Sequence, residues 1–263
     1  MSGAGAALDL DMMRRRAFRL RRMLYGILKT TVLGPALRVM FRPSDEGVQN
    51  FPETGPVLLV ANHQSFSDSI FMPLMTPRPV KFLAKAEYFD QPGFKGRLSA
   101  GFFRGVGSIP IDRSGAKAAE AALNTALRLL GEGEVVGMYP EGTRSPDGRL
   151  YKGRTGVARI ALAARCPVVP VAIFGTRQVQ PTGKTMPRVH KVDVRFGRPL
   201  DFTRFTGPDG SLWSALDGTE AQHTVLRAVT DEIMYTLMSM TGQEYTDSYA
   251  PSKGSGKRAA AIE

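Results

Sequence analysis

The stretch VLLVANHQSFSD, Val57 to Asp68, decides how this chain is read. Its first five residues are apolar, the length and composition of a strand covered on both faces. The run stops at Asn62 and His63, and Asp68 follows five residues after the histidine. Five residues along one α-helix turn through about 140° and rise about 7.5 Å, so a pair with that spacing does not face itself on a helix. The two side chains meet only if His63 sits at the strand's end and Asp68 in the first turn of the helix that follows. Two readings fit. In one, Ser65 and Asp68 form a capping box and His63 is an ordinary loop residue. In the other, Asp68 fixes the tautomer of His63 and leaves the second ring nitrogen free as a base.

Beyond this stretch the chain alternates between two periodicities. Val80 to Ala84, Val135 to Tyr139 and Val168 to Phe174 read as strands, the last buried on both faces. Val192, Val194 and Phe196 alternate with Lys191, Asp193 and Arg195, as in a strand with one wet face. Gly115 to Leu130 is rich in alanine and leucine, with Ser114 placed to cap a helix and Gly131 to stop it. Thr155 to Ala164 and Thr219 to Met240 also carry helical spacing. The pattern predicts one α/β domain over residues 44–250, with a central, mostly parallel or mixed sheet flanked by helices.

Charge restricts the partners. Among 263 residues, 35 lysines and arginines outnumber 24 acids, a net charge of +11 that calls for an anionic partner. Arg14, Arg15, Arg16, Arg19, Arg21 and Arg22 crowd into nine residues, without the interleaved aromatics of an RNA reader. No nucleic acid is expected. Leu20, Met23, Leu24, Ile27, Leu28 and Thr31 share one helical face, opposite Arg15, Arg19, Arg22 and Lys29. Residues 12–43 therefore read as basic amphipathic helices, broken near Pro35, with Ala36 to Phe41 as a second short piece. Such a segment suits the interface of an anionic bilayer. No run approaches the ~20 apolar residues of a spanning helix, and no signal peptide is visible. Residues 1–11 and 251–263 are expected to be loose. The lone Cys166 reads as a small core residue, neither disulfide nor zinc ligand.

Several segments leave strand ends together. VGSIPIDRSG places Arg113 before a helix, YPEGTRS brings Glu141, Gly142, Thr143 and Arg144 into a turn, and CPVVPVAIFG supplies a further strand. In an α/β sheet such segments converge on one crevice. There Arg113 and Arg144 could clamp a phosphate, and Gly142 would permit close backbone approach. GTRQVQPTGKT only superficially suggests a P-loop: Gln178 stands where that loop needs glycine, and Pro181 interrupts the turn. A G-x-S-x-G nucleophile elbow is missing from the sequence.

Four blocks in this order resemble the glycerolipid acyltransferases, in particular the lysophosphatidic acid acyltransferases. NHQSFSD matches N-H-x4-D, SIPIDR the block ending in arginine, YPEGTRS the E-G-T-R block, and VVPVAI the apolar block with its proline, Pro170. The resemblance implies His63 as general base oriented by Asp68. It implies that Arg113, Glu141, Gly142, Thr143 and Arg144, with Lys85, bind a glycerol phosphate acceptor. It further implies a fatty acyl thioester donor, of coenzyme A or acyl carrier protein, with no cofactor and no metal. Acylation of 1-acylglycerol 3-phosphate at the cytoplasmic face of a membrane, by a peripheral or monotopic protein, is the expectation. Glycerol 3-phosphate or another lysophospholipid is the alternative acceptor, and a non-catalytic membrane- or anion-binding protein the distant one. Pro110 and Tyr139 stand where the family commonly has an aromatic or aliphatic residue and a phenylalanine.

Overall fold

The structure is a computed structural model. It describes residues 33–85, 107–111 and 117–251, except Thr185 and Pro208, with a few positions between 89 and 101. Residues 1–32, Arg113, Ser114 and residues 252–263 lie outside the described set. The expectations for the arginine-rich segment, both termini and that helix cap therefore fall outside it too.

The described chain opens with helix α1 (Leu33–Phe41) and strand β1 (Ser44–Glu46). Then follow β2 (Val57–Ala61), α2 (Asp68–Met75), β3 (Val80–Lys85), β4 (Ser108–Ile111), α3 (Lys117–Gly131) and β5 (Val135–Met138). After β6 (Leu150–Tyr151) and α4 (Gly156–Ala164) come β7 (Val168–Phe174), a single turn α5 (Thr176–Val179) and β8 (Asp193–Phe196). Short helices α6 (Thr203–Thr206) and α7 (Ser211–Ala215) lead to the long α8 (Glu220–Thr241) and β9 (Tyr245–Thr246). The main sheet has seven strands in the order β1-β8-β7-β2-β5-β3-β4. Its pairs are parallel except β7 with β8. It is the mixed sheet the alternation predicts.

The sheet is apolar on both faces, and β2 shows why. Leu58 and Val60 point into one core with Val136 and Val168, packed by α3, α4 and α8. Val57, Leu59 and Ala61 point into the other with Val135, Val169 and Val171, packed by Phe41 of α1 and by Phe71, Met72 and Leu74 of α2. All five residues of β2 are fully buried. A strand with that surrounding has no polar face, and hence no alternation in its sequence.

Local chemistry explains where elements begin and end, sometimes differently from the sequence expectation. Helix α1 is described from Leu33 and runs through Pro35, where the sequence reading places a break. Helix α3 includes Gly131, and the left-handed turn falls at Gly133, φ 77°. Strand β5 ends at Met138, one residue before Tyr139. In α8 the Thr219 side chain accepts the Gln222 N–H, and Gly242 closes the helix in the left-handed region. Pro170 sits inside the sheet at a break in the β7–β8 ladder. Pairing stops at Val171, resumes as a lone bridge at Val168, and the missing proline N–H falls between. Cys166 is buried in the first core, and burial pushes its thiol up to about 11.

Gly137 in β5 is the tightest point between sheet and site. It pairs with Phe82, and a Cβ there would meet the Phe82 ring at 2.7 Å and Val80 Cγ1 at 2.8 Å. The Phe82 ring in turn lies 5.8 Å from that of Tyr139. Gly137→Val is expected to destabilise the protein by about 1–3 kcal/mol through overpacking. Calorimetry checks this, and an unchanged unfolding midpoint would contradict it.

Candidate active site

Strands β2, β3, β5 and β7 run parallel, so their carboxyl ends open at one end of the sheet. His63 stands two residues beyond β2, and the turn after β5 supplies Tyr139 to Arg144.

His63 and Asp68 meet. Nδ1 of His63 lies 2.8 Å from Oδ2 of Asp68, and the aspartate is fully buried. The same Oδ2 accepts the backbone N–H of Gln64 at 2.7 Å and of Ser65 at 2.8 Å. An oxygen already accepting two amides requires a donor from the ring, so the hydrogen sits on Nδ1 and Nε2 carries the lone pair. Oδ1 is buried with no hydrogen-bond partner among the described residues. Three N–H groups thus hold the Asp68 side chain through one oxygen. The Ser65–Asp68 capping pair forms as well: Asp68 takes the Ser65 N–H and Ser65 Oγ accepts the Ser67 N–H at 3.1 Å while donating to Gln180 O at 2.8 Å, although helix α2 begins only at Asp68.

Tyr139 covers one face of the imidazole. The two rings stack with centroids 3.8 Å apart and planes 8° from parallel. The tyrosine hydroxyl is 3.0 Å from Ser69 Oγ, and burial raises its pKa well above the ordinary tyrosine value. The residue that departs from the family pattern therefore lies against the catalytic candidate, a contact that only its position directly after β5 hinted at.

The E-G-T-R-S turn grips the backbone of His63. Glu141 is fully buried, its Oε1 accepting the His63 N–H at 3.0 Å and its Oε2 the Tyr151 N–H at 3.0 Å. Ser145 N–H donates to His63 O at 2.8 Å. Both backbone polar groups of the histidine are thereby fixed from the turn after β5. Burial pushes the Glu141 carboxyl up to about 7, against the lowering effect of the two amides, with Asp68 and Asp147 adding to the rise. The expected acceptor contact at Glu141 meets a side chain with no exposed surface and both oxygens engaged by the scaffold.

The remaining expectations divide. Gly142 adopts φ 74°, and a Cβ there would come within 3.0 Å of the Arg154 side chain, so the glycine serves the turn itself. Thr143 and Arg144 are half-buried. Among the described residues Arg144 has no hydrogen bond or ion pair. Lys85 ends β3 at the same end of the sheet, with its side chain outside the described set. Arg113 lies outside the described residues altogether. Asn62, left without a role by the sequence, ties β2 to β7: its Oδ1 accepts Ile173 N–H at 2.8 Å and its Nδ2 donates to Ile173 O at 3.1 Å. Nδ2 also donates to Gln243 Oε1 at 2.9 Å. A polar residue directly after an apolar strand is the only signal of that bridge in the sequence.

Known proteins are similar to this chain. Residues 42–174, just over half of the chain, match the family model described as Acyltransferase. The chloroplastic 1-acyl-sn-glycerol-3-phosphate acyltransferase BAT2 of Brassica napus is 31% identical over 166 residues, 63% of this chain and 46% of that protein. The 1-acyl-sn-glycerol-3-phosphate acyltransferase of Bacillus subtilis is 27% identical over 153 residues, 58% of this chain and 70% of the other. The chain spans less than half the length of the Brassica relative and of a second plant relative, from Arabidopsis thaliana. Among solved structures, the LPA acyltransferase PlsC of Thermotoga maritima superposes with a TM-score of 0.56 at 24% identity, over 87% of this chain and 88% of that one. That likeness is one of fold. The family match spans the strand, the His63–Asp68 pair and the turn that holds them, and the chain belongs to the acyltransferase family.

Proposed function

We propose that this protein transfers a fatty acyl group from an acyl thioester to the free hydroxyl of 1-acylglycerol 3-phosphate, giving phosphatidic acid. The observation that carries the reading is the 2.8 Å contact between His63 Nδ1 and a buried Asp68, within a chain of the acyltransferase family. The activity named for the Brassica and Bacillus relatives supplies the acceptor. The donor is a thioester of coenzyme A or of acyl carrier protein.

In this mechanism Nε2 of His63 takes the proton from the acceptor hydroxyl as its oxygen attacks the thioester carbonyl. Asp68 stabilises the imidazolium that forms. When the tetrahedral intermediate collapses, the carbon–sulfur bond breaks and the leaving thiolate takes the proton back from Nε2. No covalent acyl-enzyme is required. Tyr139, stacked on the ring, and the Glu141–Ser145 turn keep the imidazole in register. Arg144, with Arg113 and Lys85, binds the acceptor phosphate.

Lysophosphatidic acid and phosphatidic acid both reside in bilayers. Residues 12–43 bring the protein to that surface as a peripheral or monotopic enzyme of the cytoplasmic face, with Leu33–Phe41 their described part. Among the described residues no helix is long and apolar enough to cross a membrane.

His63→Ala should lower the acyl-transfer rate by about 10²–10⁴-fold with the fold intact, the range for a lost general base. Thiol release in the presence of lysophosphatidic acid measures it, and a folded variant working at the parent rate would end the proposal. Arg144→Ala should raise the acceptor's KM while stability moves by no more than about 0.5 kcal/mol, because no protein partner is lost. A KM that does not move would remove Arg144 from the acceptor site.

Glu141→Gln tests the positioning turn. Glutamine offers one acceptor and one NH2, so one of the two backbone N–H groups then faces a donor. A loss of about 1–3 kcal/mol and of activity is expected despite the equal size. The parent protein also carries a pH signature. The folded Glu141 holds its proton to about 7, above the ordinary glutamate value near 4.3. The native state therefore binds more protons between these values, and stability falls as pH rises through that window and levels above it. Urea unfolding from pH 4.5 to 8 should show this slope in the parent and a flatter one in Glu141→Gln; equal slopes would refute the assignment.

A further inference from the structure

The segment between β7 and β8 has no part in the chemistry above, and its composition is unusual. From residue 175 to 192 the chain has Arg177, Lys184, Arg188, His190 and Lys191 and not one aspartate or glutamate. Met186 and Val189 stand out from it, 78% and 70% exposed. Residues 33–43 repeat the combination: Arg38 and Arg42, no acid, and Val39 and Met40 exposed at 80% and 51%. Among the described residues seven large apolar side chains are exposed, and four of them lie in these two segments. Single exposed apolar side chains are ordinary on protein surfaces, but such clustering among unopposed cations is not.

The topology brings the two segments together. Ser44 of β1 pairs with Asp193 of β8, and Ser44 N–H donates to Val192 O at 3.0 Å. Met40 is four residues before that junction on one side and Val189 three before it on the other. The backbones of all four residues therefore lie within about 25 Å of it. The first carboxylates come only beyond the junction, on the strands. There Asp193 is engaged by Lys191 and Glu46 by Arg195, while Asp45 is exposed on β1. Arg38, Arg42, Lys184 and Arg188 have no ion pair among the described residues. A recess of about 510 Å³ opens in the same surface, lined by Arg177, Gln178, Pro181, Arg188, Val189 and His190.

The surface also faces a definite way. Strand β8 runs antiparallel to β7, and β1 runs with β8. The chain entering each of them therefore lies at the carboxyl end of β7 and β2, the end at which His63 stands. Gln180 ties the two regions directly, receiving Ser65 Oγ at its carbonyl.

We infer that the Pro181–Lys191 loop forms a second membrane contact beside the end of α1, inserting Met186 and Val189 among the headgroups of an anionic bilayer next to Val39 and Met40. Arg188 and Lys184 sit at phosphate level. Apolar insertion combined with unpaired cations is the pair of signals that gives stable peripheral binding. The contact turns the His63 end of the sheet toward the lipid surface. It extends the membrane reading of residues 12–43 and is read out separately from it.

The test uses the full chain with a single polarity-sensitive fluorophore at Met186→Cys, and a control fluorophore at Tyr235→Cys. Tyr235 is 67% exposed on α8, across the sheet. Cys166 is buried, with its thiol pushed up to about 11, and stays unlabelled. On vesicles of phosphatidylglycerol and phosphatidylcholine, nitroxide-bearing lipid should quench the Met186 fluorophore and leave the Tyr235 one unchanged. Lys184→Glu with Arg188→Glu should weaken sedimentation with these vesicles at least about tenfold, with the thermal midpoint unchanged. A chain that binds vesicles with an unquenched Met186 fluorophore overturns the loop contact and leaves the anchor at residues 12–43 standing. A chain that binds no vesicles overturns both, and thiol release then still decides the acyl-transfer reading. A Met186 signal that answers only to an acidic carrier protein reassigns the surface to a protein partner and overturns the proposal equally.

Discussion

A carboxylate with no exposed surface holds the site together. Glu141 reaches from the turn after β5 to the N–H of His63 on one side and of Tyr151 on the other. Placing a carboxyl group in that interior is unfavourable, as its raised pKa records. The two amides make the position tolerable, and in exchange three separate stretches of chain are fixed against each other. Ser145 completes the grip by donating to the His63 carbonyl. With both backbone groups tied, the direction of the histidine side chain follows from the turn rather than from its own rotamer freedom.

On that fixed backbone a few contacts define the imidazole. Asp68 Oδ2 sets which nitrogen carries hydrogen, Tyr139 sets the plane of the ring, and the rest of the ring's edge is left for chemistry. Asp68 is itself set by the amides of Gln64 and Ser65, so the loop between β2 and α2 carries its own alignment. Such nested support is what keeps a base within a few tenths of an ångström of a productive position. Asn62, one residue earlier, extends the support outward by tying the end of β2 to β7.

The mixed sheet has a consequence beyond packing. Because β8 turns against β7, the loop that feeds it emerges beside the carboxyl ends of the parallel strands. The His63–Asp68 pair and a cationic, apolar-studded surface then occur at one end of the sheet. An all-parallel sheet would have sent that loop to the opposite end, away from His63.

Much of this was legible in the sequence. The apolar runs at Val57–Ala61 and Val168–Phe174 read directly as strands because burial on both faces leaves no other composition. Helix geometry gave only the condition for a His63–Asp68 meeting, with His63 at the strand's end and Asp68 in the first turn of the next helix. The sequence showed less where burial or partner choice depends on distant segments. Glu141 was expected among the acceptor-binding residues, because nothing local says that the carboxyl of a turn glutamate will be engaged by the amides of Tyr151 and His63. The β1–β8 pairing and the Tyr139 stack likewise join residues 149 and 76 positions apart. Local periodicity and spacing are properties of consecutive residues and can be read from them. Which amides meet a buried carboxylate, and which end of the sheet a loop leaves from, depend on how the strands assemble, and only the tertiary structure decides them.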